Sequence, residues 1–281
     1  MARIPRSLWL LAFAALVSAA AVGVALTIAP DALAAQVAGR WGQALGEGAG
    51  AIACALCARS LTGHARRAWR LFAIGEAIWA LTDLAAGVGL LIGLDPSPPS
   101  VFDIAWLSFY VPMLGGVLLL YRRMRPERSW RGALDAALVS ASVSLFGWVV
   151  LLQPIAAQGS GGSLGTLVNL LYPIFDLACL GALGWLVVRY ARAAPAWLWW
   201  VIAAFGLGLT ADIAYLLTYV SGLPTAAGVA AAAYTLAGWL WAIAATRRMA
   251  WREPAGDAGA ASPPPAWSEA GPLACGLSVV A

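Results

Sequence analysis

Six carboxylic acids fall inside strongly apolar stretches of this chain: Glu76, Asp83, Asp103, Asp135, Asp176 and Asp212. At the centre of a membrane helix an ionised side chain costs roughly 2.5–3.5 kcal/mol on insertion scales. Acids so placed need a protein interior, a water-filled cavity or a proton. The chemistry open to them is ion or proton binding, ligand binding, or hydrogen bonding between helices. Arg40 excepted, no arginine lies deep enough in these stretches to neutralise them.

Spacing sorts the acids into stripes. Trp69, Phe72, Glu76, Trp79 and Asp83 follow one helical face, as do Asp103, Trp106 and Tyr110. Asn169, Tyr172, Asp176 and Cys179 form a third face, and Asp212, Tyr215 and Tyr219 a fourth. Residues at i, i+3, i+4 and i+7 share a helix face. Four such faces converging would line one outward-opening cavity with carboxyls and aromatic rings, suited to a small molecule or cation. Its candidate residues are Trp79, Asp83, Asp103, Trp106, Tyr110, Tyr172, Asp176, Asp212 and Tyr215. The same residues also suit interhelical glue, with aspartates accepting from tyrosine hydroxyls or tryptophan N–H groups, and spacing leaves both readings open.

Depth separates the remaining acids. At a rise of 1.5 Å per residue, Glu76 lies about 7 Å inside one end of its stretch, and Asp135 nearer still. Both come within reach of arginine clusters, so we expect structural roles for them. Pro112 and Pro173 are expected to shape their helices for packing. Cys54 and Cys57 form a C-x-x-C on one helix face, but a metal site needs more ligands and His64 is the sole histidine. We expect no metal and no cofactor. H-E-x-x-H and Walker motifs are absent from the sequence, so we expect no enzymatic activity.

The elements that must position these residues follow from composition. Of 281 residues, 62% are hydrophobic and 11% charged, against about 25% charged in a typical soluble domain. The mean hydropathy is +0.81. An ordinary soluble enzyme is excluded, and an all-α polytopic membrane bundle is expected. Runs of about 20 apolar residues place eight spans near Leu8–Ile28, Val37–Ala58, Leu71–Gly93, Val101–Tyr121, Gly132–Gln153, Leu164–Val188, Ala196–Val220 and Ala226–Thr246. The second is the least apolar, because Arg40, Gln43 and Glu47 occupy its first half.

Every basic residue is an arginine, and all but Arg40 fall at one set of alternate span ends. The positive-inside rule then puts both termini in the cytoplasm of a cell inner membrane. The chain divides into a cytoplasmic N-terminus (1–7), a membrane domain (8–246), and a basic juxtamembrane end with a disordered tail rich in Pro, Ala and Gly (247–281). Cleavage after Ala34 as a signal peptide is the rival reading of the first span, although its 21 apolar residues exceed the usual h-region of about 7–15. A weak repeat relates Ala68-Trp69, Asp83 and Arg122-Arg123 to Ala196-Trp197, Asp212 and Arg247-Arg248.

Several of these residues also carry a family resemblance. Arg67-Ala68-Trp69, Gly75, Trp79, Asp83, Pro98, Ser100, Asp103, Tyr110 and Pro112 resemble a region of actinobacterial signalling proteins. Leu134-Asp135, Trp148, Tyr172-Pro173, Asp176, Asp212 and Tyr215 extend it. The stretch from Arg59 to Arg247 is similar to the multi-span N-terminal membrane module of GGDEF/EAL proteins, which make or degrade cyclic di-GMP. The resemblance implies a sensory input module. Neither a Gly-Gly-Asp-Glu-Phe nor a Glu-Ala-Leu catalytic site is present, which implies a sensor acting in trans or a piece of a longer signalling protein. The expected partners are the lipid bilayer and a cytoplasmic signalling enzyme or a second copy, with no nucleic acid. A proton- or cation-coupled small-molecule transporter is the alternative.

Overall fold

A computed structural model describes residues 6–124, 130–153, 157, 164–190, 194–221 and 224–251. Among these the regular structure is helical throughout. The helices are α1 (Arg6–Ile28), α2 (Leu33–Arg59), α3 (Gly63–Leu91), α4 (Val101–Ser108), α5 (Tyr110–Met124), α6 (Trp130–Gly147), α7 (Leu164–Tyr190), α8 (Ala196–Ser221) and α9 (Pro224–Ala250). A π-helical turn, Trp148–Leu152, continues α6.

Six segments are long and apolar enough to cross a membrane: α1, α3, α4 with α5, α7, α8 and α9. The outward faces carry large apolar side chains, such as Phe13, Ile52, Leu81, Ile104, Val111 and Trp199. An apolar exterior of this extent is what lipid contact requires. Two of the eight expected spans differ from the rest. α2 has 27 residues, but Arg40, Glu47 and Arg59 make it too polar to qualify on composition. α6 contributes only a shorter apolar stretch, Ala137–Val150.

The helices close into a ring. α2 packs on α3, α3 on α5, α5 on α7, α7 on α8, α8 on α9, and α9 on α2. α1 lies against α9 and α2, and α6 against α7. Trp239 Nε1 donates to Ser18 Oγ at 3.0 Å, tying α1 to α9. The remaining surface of α1 is largely exposed and apolar.

Local chemistry sets the breaks. α3 ends where Gly93 turns to φ +82°. Leu94 N donates to Gly89 O (2.9 Å) and Gly93 N to Leu90 O (3.2 Å), the Schellman pattern that a glycine permits. α4 starts with a capping box: Ser100 N and Oγ both donate to Asp103 Oδ2, at 2.6 and 3.0 Å. The expected fourth span is interrupted at Phe109. Pro112 has no N–H to offer the Ser108 carbonyl, so the helix is broken there. Pro173 lies inside α7, which continues through it.

α2 and α9 approach closely enough to exclude side chains. A methyl at Gly46 would lie 2.7 Å from the Thr235 carbonyl, and one at Gly238 would lie 2.5 Å from the Glu47 amide nitrogen. Small residues allow the backbones to meet, and the contact carries Glu47 into the interior.

Candidate functional site

The ring encloses three neighbouring hollows that share wall residues. The outermost is a vestibule of about 620 Å³. Pro30 and Asp31 of the α1–α2 turn, Asp95 and Ser97 of the α3–α4 loop, Thr218 of α8 and Ala227 of α9 contribute to its wall. Its mouth is therefore at the bundle end opposite Arg59, Arg66, Arg67 and Arg70, which are exposed at the α2–α3 turn. Arg40, Gln43, Tyr215 and Tyr234 also line a chamber of about 40 Å³ beneath it. Trp79 and Tyr234 in turn border a deeper chamber of about 30 Å³, which reaches Glu47, Glu76 and Asp176.

The upper chamber is held together by charge-assisted hydrogen bonds. Arg40 Nη1 contacts Asp83 Oδ1 at 3.1 Å, and the guanidinium lies 4.7 Å from the centre of the Trp106 ring. The Arg40 side chain is 20% exposed, while that of Asp83 is fully buried. Tyr172 donates its hydroxyl to Asp103 Oδ1 at 2.6 Å, joining α7 to α4. Tyr234 donates to Asp212 Oδ1, joining α9 to α8. Tyr110 donates to the Tyr172 carbonyl at 3.2 Å.

Most of the expected lining residues are brought together. Trp79, Asp103, Trp106, Tyr172, Asp212 and Tyr215 border the upper chamber. Asp83 lies behind Arg40, and Tyr110 and Asp176 lie deeper. The two readings of these residues coexist in single side chains. Asp103 and Asp212 each give one oxygen to a tyrosine on another helix, as interhelical glue does. Asp212 Oδ2 nevertheless has no hydrogen-bond partner, and neither do Glu47 Oε2, Glu76 Oε2, Asp83 Oδ2 and Asp176 Oδ2. Each of these atoms is buried, so each retains capacity for a water, a proton or a ligand atom.

Glu76 is placed differently from the expectation. It is 2% exposed and lines the deep chamber, with no arginine as an ion-pair partner among the described residues. The α2–α9 contact draws the interior this far, and a methyl at Gly50 would lie 2.8 Å from Glu76 Oε2. Asp135 falls on α6, but its side chain lies outside the described residues. Cys54 and Cys57 are buried free thiols. No group of three metal-ligating side chains assembles among the described residues.

Arg40, Gln43 and Glu47 belong to the site, although on sequence Gln43 and Glu47 only weakened the second span and Arg40 stood out solely as an arginine within reach of the acids. Their signal was available: Gln36, Arg40, Gln43 and Glu47 recur at steps of four, three and four, which is one face of a helix. That face is turned into the ring, toward the vestibule and the chambers.

Below Glu76 the interior becomes aromatic. Phe72, one turn along α3, lies 5.0 Å from Trp241 and 5.5 Å from Trp69 between ring centres. Phe205 packs 5.6 Å from Trp241, and Trp197 5.8 Å from Trp69. Trp69 and Phe72 are fully buried. This plug fills the ring between the deep chamber and the arginine end.

Comparison with protein-family models, curated proteins and solved structures finds no match to this chain.

Proposed function

We propose that this chain is an integral membrane input module that binds a small polar ligand through its vestibule and reports occupancy by a change in helix packing. The observation that carries this reading is the shape of the interior: hollows that share wall residues in series below one mouth, ending at a plug of five aromatic side chains. A blind cavity suits recognition better than passage. Ligand in the vestibule would act on Arg40, which links α2 to α3 and leans on α4, so binding energy enters the contacts between helices. The resemblance to GGDEF/EAL input modules agrees with this role and suggests a cytoplasmic signalling enzyme or a second copy as the receiver.

In this reading α2 and α6 also cross the bilayer, giving eight spans. The arginine-bearing ends, with both termini, face the cytoplasm, and the vestibule faces outward. Single-cysteine labelling tests the arrangement. Cysteine at Ser97 should react with a membrane-impermeant maleimide in intact cells, and cysteine at His64 only after permeabilisation. The reverse pattern would invert the module.

Proton- or cation-coupled transport remains the second reading, favoured by one observation: the line of chambers reaches unpartnered acids as deep as Glu76. Proteoliposomes loaded with a pH-sensitive dye separate the two. A sensory module leaves an imposed pH gradient intact with and without ligand, whereas coupled transport collapses it.

A further inference from the structure

We infer that the vestibule ligand carries a carboxylate, that Arg40 binds it, and that one proton is taken up with it. This inference rests on the proposed binding role and adds the ligand's chemical class. It departs from the cation that an acid-rich cavity first suggests.

Among the described residues Arg40 is the only arginine on the vestibule wall, and the one hydrogen bond it makes is to Asp83. A guanidinium has five N–H donors in a planar fork that matches a carboxylate. Four of them are unused, on a side chain that is partly exposed at the floor of a cavity of about 620 Å³. The Trp106 ring centre lies 4.7 Å from the guanidinium carbon, a cation–π contact that helps hold the fork in place. The acids offer less to an organic cation. Asp103 accepts three hydrogen bonds, Asp212 accepts one from Tyr234, and the hollow bordering Glu47, Glu76 and Asp176 is only about 30 Å³. Room for an organic ligand exists where Arg40 is, and the rim acids Asp31 and Asp95 are exposed to screening by solvent.

The proton follows from what Arg40 leaves behind. Asp83 is fully buried, and among the described residues Arg40 is the one cation paired with it. Facing this pair are Glu47 from α2, Tyr215 from α8 and Tyr234 from α9, with Glu76 from α3 beside Glu47 and with Asp103 from α4 and Asp212 from α8 on the wall of the same chamber as Arg40. None of them is basic. A ligand that draws Arg40 away leaves a buried carboxylate beside a second carboxyl, with no counter-charge. A proton drawn from solvent onto the Asp83–Glu47 pair restores neutrality, and Asp83 Oδ2 and Glu47 Oε2 are without other partners to oppose it.

The test uses the full chain in lipid nanodiscs with three probes of one shape: benzoate, benzamide and benzylammonium. Benzoate should bind while the other two do not, and its Kd should fall about tenfold for each pH unit lowered between pH 8 and 6, the slope for one proton taken up per ligand. Titration calorimetry in two buffers of different ionisation enthalpy should count that proton directly. Asp83→Asn should bind benzoate more tightly and without the pH slope, because Arg40 is then free and no carboxylate is stranded. Arg40→Gln should weaken binding about tenfold to a hundredfold. If that variant fails to fold, Arg40→Gln with Asp83→Asn removes both charges and keeps the interior neutral, and it should melt cooperatively without binding benzoate. Benzoate binding undiminished in the double variant, or a pH slope that survives in Asp83→Asn, overturns the inference. Binding of benzylammonium or benzamide in place of benzoate also overturns it and leaves the binding module standing. No binding by any probe overturns both.

Discussion

At the scale of single residues, the interior is governed by how few donors its acids have. The Asp103 carboxyl shows the arrangement at its fullest, capping α4 through one oxygen and holding Tyr172 of α7 through the other. A hydrogen bond to a charged group contributes about 1.5–3 kcal/mol, so Tyr172→Phe should destabilise the bundle by that order in a denaturation series, and an unchanged midpoint would mean the contact carries nothing. Arg40→Gln removes one partner of a buried pair and should cost about 3–5 kcal/mol, with much of the loss recovered when Asp83→Asn is added. Equal losses in the single and double variants would show that the pair is not coupled.

At the scale of elements, two backbone devices put the site where it is. The first is the α2–α9 contact. Gly238→Ala would force a methyl against the Glu47 amide, and overpacking of this kind costs about 1–3 kcal/mol. Thermal unfolding in detergent should show it, while Gly48→Ala, where a methyl meets nothing within 4 Å, should be neutral or slightly stabilising. Equal effects at the two positions would remove the close approach as the cause. The second device is the α3–α4 loop at the vestibule rim. The Ser97 side chain, and after it the Ser97 N–H that donates to Asp95 Oδ1 at 2.8 Å, hold the Asp95 carboxyl below its ordinary range. A carboxyl whose folded value is depressed stabilises the folded loop fully above the unfolded value, about 3.9, and loses that contribution as pH falls through the folded value. An NMR titration of Asp95 should therefore show a midpoint below about 3.9, and a midpoint at or above it would sink the argument.

At the scale of the whole molecule, the ring explains how one helix too polar to qualify as a span on composition sits among helices that do. α2 places Arg40, Gln43 and Glu47 on its inward face, while Leu45, Ile52 and Leu56 stay exposed on the outward side. The peripheral positions of α1 and α6 follow the same logic, because neither contributes an acid to the described chambers. The aromatic plug gives a prediction that belongs to the assembled bundle. Phe72→Ala should open space next to Glu76 and, in a blind cavity, lower stability by about 3–5 kcal/mol without creating proton flux in proteoliposomes. Flux in that variant alone would mark the plug as a closed gate.

The sequence by itself determined the class of the molecule. A mean hydropathy of +0.81 and apolar runs of span length leave a helical membrane bundle as the only architecture that satisfies the backbone in lipid. It also named most of the polar residues in the interior, because a helix at 3.6 residues per turn writes its buried face into spacing, as in Asp103-Trp106-Tyr110. Spacing within one helix is silent about which helix comes opposite. Only the tertiary structure decided that Arg40 meets Asp83, 43 residues away, that Glu76 turns toward Glu47 and Asp176 rather than the arginines, and that Tyr234 caps Asp212. Those pairings depend on which helices become neighbours in the ring, α2 beside α3 and α9 beside α8, and that is decided by packing between helices far apart in sequence.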